Sequence, residues 1–311
     1  MTNTEYRKST VRLIVAILSF VCFASACIRT SEVNGNIIIY EDFQSNYVAP
    51  RTVRVWTPSD YDSKIRYDVI YMHDGQNLFD ASITWNNQEW GVDETLSRLI
   101  SEDRIRPCIV VGMDCGSLRY EEYYPSKICA DIPAGVLPEG FTPLGDEYLK
   151  FIVEEVKPFI DSNYSTWGDA AHTFVSGSSC GGLISSYALC EYPEIFSGAA
   201  CLSTHSNLWN PYTEDDQSPV ADAYREYLRQ NLPIDTAHKL YMDCGDKTID
   251  AGYGKTQDAI NKMIIELDWP SVDGTEGYMY RFFPGHSHTE TDWNARFEIP
   301  VLFLLANDRL Q

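Results

Sequence analysis

Five residues, Gly177-Ser178-Ser179-Cys180-Gly181, have a spacing with a chemical use: a serine with glycine two places before it and two places after it. A serine hydroxyl is a poor nucleophile at neutral pH and needs a base beside it. The spacing suits a hydroxyl presented on a strained strand-to-helix turn, where the flanking positions must be nearly bare for strand and helix to approach. A Gly/Ser-rich turn without chemistry has the same composition, so the flanks decide. Ahead, Thr173, Phe174 and Val175 form an apolar run that reads as buried strand. Behind, residues 183–189 read as a helix that Pro193 stops. In that setting Ser179 stands at a helix N-terminus, where backbone N–H groups and the dipole favour developing negative charge.

The elements that must hold such a turn follow in order. Residues 36–43 and 51–57 alternate as strands, with a turn at Ala49-Pro50, and 67–72 is a third strand running into a loop from His73 to Phe79. Residues 91–104 read as a helix with Leu96, Leu99 and Ile100 on one face, and 107–113 as a buried strand. The stretch 115–144 is rich in Tyr, Pro and Gly and has no period, which predicts a long loop, functional or disordered. Leu149, Ile152, Val153, Val156, Phe159 and Ile160 fall at helical spacing and read as core. After the serine turn come a strand at 198–202, a polar loop at 207–219 and a helix at 221–229. A strand at 239–244, a helix at 254–267, a strand at 277–283 and a helix at 289–305 broken at Pro300 complete the chain. Strands alternating with helices give a mostly parallel central sheet with helices on both faces, and the first strands, lacking helices between them, form an antiparallel N-terminal edge. This is the layout of the α/β-hydrolase fold.

In that layout the partners of the serine follow it in the order acid, then histidine. The acid belongs after the seventh strand, where Asp246 and Asp250 are candidates, either of which is also a plausible turn former or cap. Of six histidines, His286 and His288 follow the last strand, where the base belongs, while His205 follows the sixth strand at the edge of the site. A tetrahedral intermediate needs two backbone N–H donors. One is that of Cys180, after the serine, and the other lies in Asp74-Gly75-Gln76, with Gln76 the choice.

With these pieces placed, the sequence resembles the "putative esterase" family of α/β-hydrolases, the group of feruloyl and acetyl-xylan esterases, esterase D-like enzymes, siderophore esterases and mycolyltransferases. The residues that carry the resemblance are HDGQNLFD from His73, EWGVDE from Glu89, RYEEYYP from Arg119, GSSCGG from Gly177 and FPGHSHTETDW from Phe283 to Trp293, and the similarity covers roughly residues 36–305. The resemblance implies that His288, before a polar pair and a Trp, is the base. It places the acid three residues after the strand-end Gly245, where this chain has Thr248, so that a two-residue insertion assigns the role to Asp250, with Asp246 as the alternative. It also implies a serine carboxylesterase that works through an acyl-enzyme without a cofactor or metal, on an acyl- or feruloyl-type ester of a carbohydrate or another small-molecule ester. Trp85, Trp90, Tyr120, Tyr123 and Tyr124 are candidates for the pocket wall. An acyltransferase using the same triad, a trilactone siderophore esterase and a catalytically degenerate binding lipoprotein are the alternatives.

Composition narrows the setting. The chain has 311 residues, 24 Lys and Arg against 45 Asp and Glu, and a formal net charge of −21, which repels phosphate backbones and excludes a nucleic-acid partner. Arg7, Lys8 and Arg12 followed by the apolar 13–23 predict an export signal, too short to span a bilayer comfortably. Ala24-Ser25-Ala26-Cys27 suits signal peptidase and also resembles a bacterial lipobox, so a lipid anchor at Cys27 is the one membrane attachment expected. The expected organisation is a signal at 1–27, a spacer at 28–35 and an esterase domain at 36–311, exported to the periplasm, the cell surface or the medium. Beyond Cys22 and Cys27, seven cysteines remain, an odd number that excludes full pairing; Cys115 and Cys129 flank the long loop and are the pair that could join.

Overall fold

The computed structural model describes residues 26–28, 34–207, 218–270 and 277–307. Within them lies one sheet built from β1 (Ala26–Ile28), β2 (Asn36–Phe43), β3 (Arg51–Thr57), β4 (Asp68–His73), β5 (Cys108–Met113), β6 (Thr173–Ser178), β7 (Gly198–Leu202), β8 (Lys239–Cys244) and β9 (Tyr278–Phe282). Their order is β1-β2-β3-β5-β4-β6-β7-β8-β9. Strands β1, β2, β3 and β5 are joined antiparallel, and every pairing from β5 through β4 to β9 is parallel.

Strands β4 to β7 are buried along their whole length, which requires cover on both faces. Alternation along β4 divides the core in two: Val69 and Tyr71 enter one cluster, Ile70 and Met72 the other. The first cluster is covered by α2 (Arg119–Tyr123), α3 (Ser126–Ala130), α4 (Gly145–Lys150), α5 (Lys157–Asn163), α6 (Cys180–Glu191), α7 (Pro219–Asn231) and α8 (Gly254–Glu266). The second is covered by α1 (Val92–Ser101), α9 (Glu290–Asn294) and α10 (Glu298–Leu305). Helix α6 is buried from Cys180 to Cys190 and has no polar face, its two buried hydroxyls, Ser185 and Ser186, bonding back to the Gly181 and Leu183 carbonyls. A π-helical stretch, Phe151–Val156, joins α4 to α5. No helix among the described residues is long and apolar enough to cross a membrane.

The structure differs from the sequence expectations in three places. Residues 115–144 are not an unstructured loop: they carry α2 and α3, five residues each and too short to show a period. Helix α2 is fixed by long-range pairs instead, Arg51 Nη2 to Glu122 Oε1 at 2.7 Å and Arg119 Nε to Asp74 Oδ1 at 2.7 Å. Pro300 does not break the last helix. It sits in the first turn of α10, where its missing N–H costs nothing, and the interruption lies at 295–297. Cys115 and Cys129 are both free thiols, and Cys115 Sγ accepts a hydrogen bond from Gln76 Nε2 at 3.2 Å. Residues 1–25 of the expected signal at 1–27 and residues 29–33 of the spacer lie outside the described residues, as do residues 208–217 of the polar loop. The backbone of β1 pairs Cys27 with Ile39 of β2.

Candidate active site

Ser179 joins β6 to α6 with φ 57° and ψ −125°, a conformation that L-residues seldom hold and that must be enforced by its surroundings. Its N–H donates to the Leu202 carbonyl at 3.0 Å, and its own carbonyl accepts from Leu183 N and His205 N, each at 3.1 Å. The glycine requirement is steric. A Cβ on Gly177 would stand 2.8 Å from the Gly181 carbonyl carbon and 2.9 Å from His73 Cδ2, and one on Gly182 would stand 2.9 Å from Thr204 Oγ1. His73 is the spacer under this crossing. Burial pushes its imidazole down to about 3, so it is neutral, and Nδ1 meets Tyr148 Oη at 2.9 Å.

Past the end of β8 a short 3₁₀ turn, Thr248–Gly252, folds Asp250 back toward the sheet. Asp250 Oδ1 lies 2.6 Å from His288 Nδ1, and Oδ2 accepts from Ser203 Oγ at 2.6 Å and from the Gly245 N–H at 2.7 Å. Burial alone would raise this carboxyl, but the bond and charge of His288, the Ser203 hydroxyl and the Gly245 N–H hold it below the usual carboxylate range. Thr248, at the position where the resemblance places an acid, has φ 52° and accepts the His288 N–H on Oγ1 at 2.8 Å. It thus secures the backbone of the loop whose imidazole Asp250 contacts. Asp246 faces away, capping the turn through the Gly285 N–H at 2.8 Å. His286 packs on Phe283 with ring centroids 5.3 Å apart and sits 3.6 Å from Asp292.

Beneath this pair lies a buried network that the sequence reading missed. Ser203 Oγ accepts from Trp293 Nε1 at 3.0 Å and from Arg296 Nη2 at 2.6 Å while it donates to Asp250. Arg296 Nη2 also reaches Asp243 Oδ1 at 3.0 Å, and Tyr241 donates to Asp243 Oδ2 at 2.9 Å. Burial pushes Asp243 up to about 6 against the pull of Arg296, the Ser203 N–H and Tyr241. The available signal was Asp243 itself, a carboxylate inside the apolar strand LYMDC, which demands a buried partner. Trp293 also presents its ring to His288 at 5.0 Å and 80°. Tyr253 and His205 were given no role either; their contact is 2.8 Å, Tyr253 Oη to His205 Nδ1.

On the other side of Ser179, Cys180 opens α6, so its N–H is one of the first-turn donors without a helical acceptor. Gln76 lies in a 3₁₀ turn, Gly75–Asn77, directly after β4. Its side chain grips Cys115, with Oε1 accepting from Cys115 N at 3.1 Å, which fixes the turn. Asp74, at φ 56°, is clamped by Arg119 through Nε at 2.7 Å and Nη2 at 2.8 Å. Burial would raise Asp74, but Arg119 holds it below the usual carboxylate range.

Of the five proposed wall residues, Trp85 and Tyr120 are exposed, at 85% and 54%. Trp90 and Tyr123 are packing residues instead. Trp90 is buried against Trp293 and Phe297, and the Tyr123 hydroxyl accepts the Asp74 N–H at 3.1 Å. Tyr124 is buried with its ring 6.3 Å from that of His205. A separate cavity of about 330 Å³ between α7 and α8, lined by both basic residues (Arg225, Arg229, Lys255, Lys262) and acidic ones (Asp258, Glu266), shares no residue with the Ser179, Asp250 or His288 segments.

The chain is similar to YbbA, an uncharacterized protein of Bacillus subtilis, at 27% identity over 140 residues, 44% of this chain; the match spans about half of YbbA's length, 49%. It is similar to an endo-1,4-beta-xylanase/feruloyl esterase of Xylanibacter ruminicola at 24% identity, covering 78% of this chain and 29% of that enzyme. Its fold is shared with an IroE-like serine hydrolase of Shewanella oneidensis at TM-score 0.62 and 20% identity, covering 83% of this chain and 77% of the other. The family model described as "Putative esterase" matches residues 46–303. That match takes in the Ser179 turn, the Asp250 and His288 loops and strands β3 to β9, and by it the chain belongs to the putative esterase family, with the α/β-hydrolase fold.

Proposed function

We propose that this protein is an exported serine carboxylesterase. The observation that carries the reading is the 2.6 Å contact between Asp250 Oδ1 and His288 Nδ1, made on loops at the same sheet end as the strained Ser179 turn. With Nδ1 engaged, Nε2 is the ring nitrogen left for proton transfer. His288 takes the Ser179 proton as Oγ attacks the acyl carbon, then returns it to the alcohol oxygen as the ester C–O bond breaks. Water next attacks the acyl-enzyme, and its proton returns through His288 to Ser179 Oγ. Asp250 stays ionised, holds the imidazole tautomer and stabilises the imidazolium. The Cys180 and Gln76 N–H groups hold the oxyanion.

The proposed substrate is an acyl- or feruloyl-type ester of a carbohydrate. The likeness to the Xylanibacter xylanase/feruloyl esterase supports this, and exposed Trp85 and Tyr120 supply aromatic faces suited to sugar or cinnamoyl rings. Export rests on the basic and apolar residues before Cys27, with lipid attachment at that cysteine. Turnover of acetyl, butyryl, feruloyl and cyclic-trilactone esters tests the reading. Preference for the feruloyl or acetyl sugar ester supports it, preference for the trilactone moves the protein to the siderophore class, and no turnover of any ester contradicts it.

A further inference from the structure

Tyr253 and His205 lie on a definite side of Ser179. The proposed oxyanion donor Gln76 follows β4, which flanks β6 on one side; His205 follows β7 and Tyr253 follows β8, on the other side, with His288 after β9. In acyl transfer the oxyanion side holds the carbonyl oxygen. The histidine side first sees the leaving alcohol and then the attacking water.

The Tyr253 hydroxyl is held there from several directions. Its oxygen is 2.8 Å from His205 Nδ1, its ring is edge-on to His288 at 5.8 Å and 71°, and the residue is 1% exposed. His205 is tied to the nucleophile, its N–H donating to the Ser179 carbonyl at 3.1 Å. Asn207 clamps the two loops together, through Nδ2 to the Gly252 carbonyl at 2.9 Å and Oδ1 from Thr256 Oγ1 at 2.6 Å. The Ser179 side chain neighbours the phenol, and burial raises Tyr253 well above its ordinary value, so it keeps its proton at neutral pH.

We propose that the Tyr253 hydroxyl, anchored by His205, is a catalytic group that positions the water for deacylation. This rests on the esterase reading above. With Tyr253 donating to His205 Nδ1, its oxygen keeps lone pairs for an incoming O–H. The water then gives one hydrogen to His288 Nε2 and directs the other at Tyr253, which aims its oxygen at the acyl carbon. The new C–O bond forms, the Ser179 Oγ–C bond breaks, and the proton on His288 passes to Oγ. Tyr253 neither gains nor loses a proton, and His205 is its positioning residue.

The test separates acylation from deacylation. With p-nitrophenyl acetate the leaving p-nitrophenolate needs no proton, so acylation uses His288 only as the base for Ser179 and makes no demand on the Tyr253 hydroxyl. Stopped-flow burst kinetics on wild type, Tyr253→Phe and His205→Gln, with acetyl-enzyme followed by intact mass, measure both steps. In Tyr253→Phe the burst rate stays within about threefold of wild type and deacylation slows about tenfold or more, the weight of one hydrogen bond to a reacting group. Acetyl-Ser179 accumulates, and kcat and KM fall together while kcat/KM holds. His205→Gln shows the same selective loss, smaller, and decides the matter should Tyr253→Phe fail to fold. Equal slowing of both steps, or of neither, overturns the inference while leaving the esterase reading intact. A wild-type protein that forms no acyl-enzyme at Ser179 overturns the esterase reading itself.

Discussion

Replacing Asp250 with Asn changes one atom and should disable the imidazole by a route fixed in the geometry. Each hydrogen-bond partner of this carboxylate presents a hydrogen: Ser203 Oγ and Gly245 N on Oδ2, His288 Nδ1 on Oδ1. The Gly245 N–H cannot become an acceptor, so the amide oxygen must keep the Oδ2 position and the NH₂ must face His288 Nδ1. Two donors cannot share that 2.6 Å contact. The imidazole therefore carries its proton on Nε2 and cannot take the one on Ser179. The reference loss for such a tautomer error in a strict triad is about 10⁴ in kcat. The expected loss here is about 10² to 10⁴, or roughly 3 to 5.5 kcal/mol of transition-state stabilisation, with KM little changed. Asp246→Asn should cost less than about tenfold, because an Asn oxygen still accepts the Gly285 N–H that Asp246 caps. Steady-state kinetics on one p-nitrophenyl ester, with thermal melting as the folding check, measure both. The reverse order refutes the assignment, and two mild variants reduce the machinery to a Ser179–His288 dyad.

His288→Ala should match Ser179→Ala in severity, the double variant should be no worse, and His286→Ala should be mild; kcat for the four variants checks this. Ser203→Ala strips the hydroxyl from Asp250 and leaves the Trp293 and Arg296 donors without it, at a cost of about 1–3 kcal/mol read by thermal melting at neutral pH. The same variant should lose stability at a higher pH on acidification. Asp250 is held below its ordinary value, so its contribution is complete above the ordinary carboxylate range and is lost as pH falls through the depressed native value; removing Ser203 raises that value, which melting against pH reports. Intact mass of membrane-extracted protein should show a mature chain beginning at a lipid-modified Cys27, and a different start or a bare cysteine removes the anchor.

The parts of the site legible in the sequence are those where sterics or chain order dictate residue type. The Ser179 turn announces itself because Gly177 and Gly181 meet backbone to backbone, and no side chain fits between them. The fully buried strands β5 and β7 announce themselves as apolar runs, CIVVGM and GAACL, while β4 and β6 show shorter apolar stretches, Val69 to Met72 and Phe174 to Val175. Chain order led to the loops after β8 and β9 but left two aspartates and two histidines open. What separates them is tertiary: Thr248 Oγ1 takes the His288 N–H, and Asp246 turns to Gly285. The network of Asp243, Ser203 and Arg296 joins residues 40 to 93 positions apart, which no local pattern encodes. Helix α2 fails for a related reason, since the Arg51–Glu122 and Asp74–Arg119 pairs fix it from far along the chain, and α3, at five residues, is too short to show a period. Trp90 and Tyr123 were candidates for the pocket wall and are buried, at 3% and 0% exposure, which aromatic composition does not reveal.

The central claim is that Ser179 is the nucleophile, and covalent labelling tests it most directly. A fluorophosphonate probe incubated with the wild-type chain should react to one equivalent, map to the peptide containing Ser179 and abolish ester turnover in step with labelling. Ser179→Ala should take up no probe while melting near wild type. Label on another residue, or a Ser179→Ala protein that keeps more than about a tenth of the activity, contradicts the account.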